Sequence, residues 1–319
     1  MILRANHAVS KAILTSIRPW RGLIPVLNTP FHPEGTVDCP SLVNLCEYAA
    51  AARVPAVMLL GVASEAAQLS TAERDLITTT VAVASRSRFD IIADISDCSV
   101  DDFAQRVNRL TQLGVSAVNW RPNSELNADQ IVSNLRLIAS TSDVKIMLQD
   151  FDLYGAGLSD ATIIRAITDC PSLTAVKIEV SNSIEKINRL RTLASRTVTF
   201  CSGWPIENFL VALTTGADVS MSTSLSPLLS HLVELLQTNK SALAHETFST
   251  LQLLFSAMTE NLSSSIRLNK ELRLAEGVFE TSTCRLRTAS DYHVSQLSHE
   301  MVRAAVELQR SVSGWTPQR

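Results

Sequence analysis

Two hydrophobic periods alternate along most of this chain. Short, nearly unbroken apolar runs cover residues 22–28, 56–60, 90–95, 117–120, 144–149, 173–180, 198–201 and 218–221. Gly, Pro, Asn, Asp or Ser punctuates them, so each reads as a buried strand. Between the runs, apolar residues recur every three to four positions, the period of an amphipathic helix. The first helical stretch, 40–52, has Asp38 or Cys39 near its cap and Leu42, Leu45, Cys46 and Ala49 on one face. Ser70-Thr-Ala-Glu73 is a capping box that opens a helix to about Ser85. A helix from Ser99 or Val100 ends at Gly114; Asn127 and Ser159 cap two more. Stretches 183–195, 205–215 and 227–237 complete the series.

Strands that alternate with helices of this length make parallel βαβ units, and eight such units predict a closed (β/α)8 TIM barrel. A doubly wound open sheet would need a phosphate loop such as GxGxxG after its first strand, and the chain has none there. Beyond residue 237 the rhythm changes: 241–260, 264–276 and 289–312 read as helices with no strand between them. The expected organisation is an N-terminal extension (1–20), a barrel (21–237) and a C-terminal helical region (238–319) with a frayed end.

Composition narrows the function class. The 319 residues are 46% hydrophobic and 18% charged, which suits a large buried core and opposes disorder. A net charge of -3, with the signs interspersed, provides no basic field for nucleic acid or membrane. No apolar run reaches the ~18 residues needed to span a bilayer. Six cysteines form no CxxC pair and have no histidine at ligand spacing, so they read as free thiols in a reducing, cytoplasmic setting. The first twenty residues are basic, with Arg4, Lys11 and Arg18 and no acid. They fit either a transit segment or a surface helix of a bacterial enzyme.

One residue is out of place. The run 173–180, LTAVKIEV, has Lys177 at its centre. A strand buried on both faces should not contain an ammonium unless something uses it. Glu179 lies two residues on and shares the face of Lys177. A neutral amine in a barrel can condense with a ketone to a Schiff base, whose iminium is an electron sink. From spacing alone, a structural ion pair of Lys177 with Glu179 is an equal alternative. Barrel chemistry sits where strands end, which makes Asn28 to Phe31, Gly61 to Glu65, Gln149-Asp150, Ser202-Gly203 and 220–223 candidates.

Several motifs occur in order at family spacing. They are Gly22-Leu-Ile-Pro-Val-Leu-Asn-Thr-Pro-Phe31 with Gly35-Thr-Val-Asp38; Gly61-Val-Ala-Ser-Glu65 with Leu69-Ser70 and Glu73-Arg74; Ala175-Val-Lys177; Ser202-Gly203; and 268–277 with Arg285. From about Gly22 to Gln309 the chain resembles the dihydrodipicolinate synthase / N-acetylneuraminate lyase family of Schiff-base barrels. That resemblance implies a lyase acting on pyruvate or another 2-oxo acid, with Lys177 as the Schiff-base lysine, no metal and no dissociable cofactor, in a homodimer or homotetramer. It places Val62, Ala63, Ser64 and Glu65 in the substrate-carboxylate loop and Gln149, Ser202, Gly203 and Ser222 around the substrate.

The departures from the family pattern are specific. Val62 and Ala63 replace two hydroxyl residues. Aligning 146–151 with the family's strand-five motif puts Leu148 at its proton-relaying tyrosine. The arginine of dihydrodipicolinate synthase proper falls on Leu153, and Asn123 and Ser124 replace an aromatic pair. "LQDF" and "VKIE" instead resemble a branch of the family with QD and K-x-E. Lysine synthesis is therefore not expected. Glu179 is the first candidate for the missing proton relay and Glu65 the second. A catalytically impaired member that binds a small carboxylate as a sensor or regulator is the alternative.

Overall fold

The structure, a computed structural model, describes residues 20–315. The expectation for the N-terminal extension thus lies, Trp20 aside, outside the described residues.

Eight parallel strands form one sheet: β1 (Gly22–Pro25), β2 (Ala56–Leu59), β3 (Asp90–Asp94), β4 (Ala117–Trp120), β5 (Lys145–Asp152), β6 (Leu173–Val180), β7 (Thr199–Ser202) and β8 (Val219–Ser222). Each pairs with its sequence neighbour, and β8 returns to β1 with Gly22 opposite Val219. A bridge between Val26 and Met58, with the Leu27 N–H donating to Met58 O at 2.9 Å, joins β1 to β2 and closes the barrel.

The barrel helices are α1 (Cys39–Ala51), α2 (Thr71–Ser85), α3 (Phe103–Gln112), α4 (Ala128–Thr141), α5 (Asp160–Asp169), α6 (Ser183–Leu193), α7 (Phe209–Thr215) and α8 (Ser226–Gln237). Their starts follow cap chemistry. Asp38 accepts from Ser41 N at 3.0 Å, Ser70 and Glu73 close a capping box, as do Asn127 and Gln130, and Ser159 caps α5.

Strand parity splits the core in two. Ile24, Val26, Met58, Ile92, Ala117, Met147, Ala175, Cys201, Val219 and Met221 point inward and fill the barrel. Their neighbours Leu23, Val57, Val118, Leu148, Val176, Ile178 and Phe200 point outward against the helices. Both faces are buried, which is why the strands read as unbroken apolar runs.

The C-terminal region comprises α9 (Ser241–Ser249), α10 (Gln252–Thr259), α11 (Leu262–Ala275), the single turn α12 (Arg287–Ser290) and α13 (Gln296–Ser313). The expected helix over 241–260 is thus interrupted at Thr250-Leu251. The one expected from 289 starts at Gln296, where Ser295 caps it by accepting from Ser298 N. The largest surprise for an appendage is α11: Ser265, Asn269, Lys270 and Arg273 on it are all buried. Arg273 donates to Thr223 O at 2.6 Å, just beyond β8, and pairs with Glu276, which also accepts from the Tyr48 hydroxyl at 2.6 Å. The region packs onto the barrel mouth.

Candidate active site

Lys177 and Glu179 share the inward parity of Ala175, so β6 projects both into the barrel. Both are buried, at 5% and 6% exposure, and Lys177 Nζ lies 3.0 Å from Glu179 Oε2. Glu179 has two further donors: Gln149 Nε2 at 2.5 Å on Oε2, and the Trp204 N–H at 3.0 Å on Oε1. Gly203 makes the last contact possible. A Cβ there would lie 2.1 Å from Glu179 Oε1.

Gln149 stands opposite Lys177 in the β5–β6 register and shares the inward parity of Met147. Its Oε1 accepts from Asn119 Nδ2 at 2.8 Å, and the same Nδ2 donates to Asp94 Oδ2 at 2.5 Å. A buried polar chain therefore runs along the inner wall over four adjacent strands, from β3 to β6: Asp94, Asn119, Gln149, Glu179, Lys177. Burial raises the Asp94 carboxyl above its ordinary value, against hydrogen bonds from Ser96 and Asn119. Asp94 and Asn119 were not foreseen. Their signal, one polar residue at an inward position of an otherwise apolar strand, is visible only once strand parity is known.

Leu148, aligned with the family's tyrosine, is fully buried on the outward face, among the helices. A residue that relays protons at the lysine must point inward, and the inward residue there is Gln149, one residue on. β5 also extends to Asp152, beyond the expected end at 149.

Lys177, Glu179 and Gln149 border a cavity of about 150 Å³ at the C-terminal mouth of the barrel. Val62, Ala63, Gly203 and Ser222, expected at the site, line it too, as do Val26, Met58, Phe151, Leu153, Trp204 and Met221. Met258, Leu262, Ser265 and Asn269 from α10 and α11 complete the wall, so the C-terminal region is part of the site. Val62 to Ser64 form a 3₁₀ turn after β2, tied to the segment that follows β1 by Asn28 Nδ2 donating to Ala63 O (2.8 Å) and Thr29 Oγ1 donating to Ser64 O (2.7 Å).

Three expected site residues lie off the cavity. Ser64 donates its hydroxyl to Leu27 O at 2.6 Å. Ser202 shares the outward parity of Phe200 and turns away from the barrel interior. Glu65 pairs with Lys270 and accepts from the backbone N–H groups of Arg285 (2.7 Å) and Leu286 (2.6 Å). Its carboxylate is a clamp between the β2 loop and the C-terminal region and does not line the cavity. The described residues hold one grouping with metal-ligand chemistry, His32, Asp38 and Glu280. None of the three lines the cavity, and Asp38 already caps α1.

Known proteins share this fold. The model of the Dihydrodipicolinate synthetase family matches residues 19–303. A 4-hydroxy-tetrahydrodipicolinate synthase of Porphyromonas gingivalis is 28% identical over 53% of this chain and 58% of its own length. An L-2-keto-3-deoxyarabonate dehydratase of Azospirillum brasilense is 25% identical over 56% and 59%. The chain thus spans somewhat more than half the length of these relatives. Among solved structures, a dihydrodipicolinate synthase from Rhodopseudomonas palustris superposes with a TM-score of 0.80 at 22% identity, covering 90% of this chain and 97% of the other. A Ruminococcus gnavus sialic acid aldolase gives 0.79 at 18% identity, covering 92% and 98%.

Proposed function

The chain belongs to the dihydrodipicolinate synthetase family, and from that premise we propose that it is a lyase acting on a 2-oxo acid through a Schiff base on Lys177. The observation that carries this reading is the placement of Lys177 in the wall of an apolar cavity, 3.0 Å from a carboxylate that can take its proton. The relatives' own activities are in keeping with it: a synthase, a dehydratase and a sialic acid aldolase, a solved form of which is a catalytic lysine mutant.

In the proposed sequence Glu179 accepts a proton from the Lys177 ammonium, and the freed amine attacks C2 of the 2-oxo acid. The carbonyl oxygen is protonated to a carbinolamine hydroxyl, then leaves as water with the proton returned by Glu179, which forms the iminium. The iminium draws electrons from C3. Either Glu179 takes the proton of a C4 hydroxyl as the C3–C4 bond breaks, releasing an aldehyde and an enamine to which that proton returns at C3, or Glu179 takes a C3 proton and gives it to a hydroxyl that leaves C4 as water. Water then hydrolyses the imine and restores the lysine. Gln149 has no transferable proton of its own; it holds Glu179 and offers its amide to the substrate. Backbone N–H groups of Val62 and Ala63, at the open start of the 3₁₀ turn, are the proposed seat of the substrate carboxylate.

No step calls for a metal or a dissociable cofactor. The proposed setting is cytoplasmic, and the proposed assembly is a homodimer or homotetramer, to be measured by light scattering. Among the described residues no helix is long and apolar enough to cross a membrane. A second reading, a carboxylate sensor without turnover, is favoured by one observation: the inward position beside Lys177 holds a glutamine, and Val62 and Ala63 contribute no hydroxyl. Borohydride reduction in the presence of pyruvate separates the two. A reduced adduct mapped to Lys177, and lost in Lys177→Ala, is expected. Binding without an adduct from any 2-oxo acid would leave only the sensor.

A further inference from the structure

The walls of the cavity say more about the substrate than that it is a 2-oxo acid. Away from Lys177 and Glu179 the surface is dominated by Phe151, Leu153, Trp204, Met221, Met258 and Leu262. Among the described residues, Lys177 is the only cationic side chain in the lining, and Glu179 already balances it. Arg121 approaches from outside, its guanidinium 5.1 Å from the Phe151 ring centre, and does not line the cavity. A second carboxylate or a phosphate on the substrate would therefore lose water with no counter-charge to meet it. Thioether and aromatic surfaces are the partners of alkyl and aryl groups.

Two polar atoms in the same wall lack any partner: Asn269 Oδ1 and Ser224 Oγ, on residues 2% and 1% exposed. Asn269 is not free to turn. Its Nδ2 donates to Ser265 O at 2.8 Å and lies 3.4 Å from Ser265 Oγ, which fixes Oδ1 as the group left over. A buried acceptor without a donor is a cost that a ligand hydroxyl removes. Thr259 is engaged with Glu207 and Phe255 O, and Ser222 and Ser265 accept from the Ser224 N–H and from Asn269 Nδ2. The cavity volume of about 150 Å³ is of the order that a benzene-sized group fills (~150 Å³).

Taking the Schiff-base reading as its basis, we infer that the natural substrate is a 2-oxo acid with a compact, uncharged, mainly apolar tail bearing one hydroxyl, and that Asn269 reads that hydroxyl. Leu153 and Asn269 are then the residues that set specificity at the far end of the site.

The test titrates the full-length protein calorimetrically with pyruvate, 4-methyl-2-oxopentanoate, 4-hydroxy-4-methyl-2-oxopentanoate, 2-oxoglutarate and a 2-dehydro-3-deoxypentonate, with borohydride trapping run in parallel. The two branched acids are expected to bind roughly tenfold or more tightly than 2-oxoglutarate and the sugar acid, with the hydroxylated one the tightest. Leu153→Arg is expected to reverse the order in favour of 2-oxoglutarate, and Asn269→Leu to erase the advantage of the 4-hydroxyl. Tighter binding of 2-oxoglutarate or of the sugar acid by the wild type overturns the inference, even where Lys177 adducts form. The expected rank order without any adduct leaves the inference standing and overturns the Schiff base. No binding by any of the five overturns both.

Discussion

Glu179 is held by three donors, and each contributes something different. In the proposed sequence Lys177 exchanges the proton; Gln149 donates beside it to Oε2, and the Trp204 N–H takes Oε1. Gly203 is the residue on which this depends, because any side chain there would occupy the space of the Glu179 carboxylate. In Gly203→Ala the flexible side chain of Glu179 gives way and the backbone stays. The variant is expected to fold, with an overpacking cost of about 1–3 kcal/mol. Its trapping rate with pyruvate should fall on the order of 100-fold, the effect of roughly an ångström of misplacement at a reacting group. The ratio of trapping rates, beside a melting curve, checks it; an unchanged rate would remove Glu179 from the proton path.

At the scale of elements, the loop after β2 is locked from the far end of the chain. Glu65 sits in the left-handed region (φ 56°) between two 3₁₀ turns, and its buried carboxylate meets Lys270 on α11 and two backbone N–H groups near α12. Burial pulls the Lys270 ammonium below its ordinary value, with Glu65 opposing. Glu65→Gln leaves that ammonium without a counter-charge and should cost about 3–5 kcal/mol in urea denaturation. The double variant Glu65→Gln/Lys270→Met should recover part of the loss, since the pair is coupled. A Glu65→Gln protein of wild-type stability but without Lys177 trapping would instead return Glu65 to the proton relay. The same logic holds β5 and its loop: Lys186 pairs with Asp150 at 2.6 Å and donates to Ala156 O at 2.6 Å, behind the cavity wall formed by Phe151 and Leu153.

Over the whole molecule, the barrel and the C-terminal region are one unit joined by charge as well as by packing. Arg285 donates to Gly35 O at 2.7 Å and grips Glu73, the capping-box residue of α2, at 2.5 and 3.0 Å. The Arg285 hydrogen bond is the main cause that holds the Glu73 carboxyl down from 4.5 to about 2. A folded value below the unfolded one stabilises the protein above about 4.5, and the contribution is lost as pH falls from there to about 2. Arg285→Leu should therefore lower the urea midpoint at pH 7 by the equivalent of about 1 kcal/mol and flatten the loss of stability between pH 4.5 and 2. Equal acid slopes in wild type and variant would show that this pair is not what couples the two regions.

The order of elements was determined locally and was legible in the sequence. Cap residues such as Ser70 with Glu73 and Asn127, and apolar runs buried on both faces, specify eight strand–helix units without knowledge of their neighbours. The family motifs and the misplaced Lys177 were legible for the same reason: they lie within single strands or loops. What the tertiary structure decided was every relation between elements. Strand parity, read across β5 and β6, made Gln149 rather than Leu148 the inward neighbour of Lys177 and turned Ser202 away. Glu65 found its partner 205 residues along the chain, too far for any local pattern to announce. The fold also brought Asn269 from a region with no evident chemistry into the wall of the site. Side-chain direction and long-range pairing follow from register and closure of the barrel, and neither is encoded at a spacing that periodicity can detect.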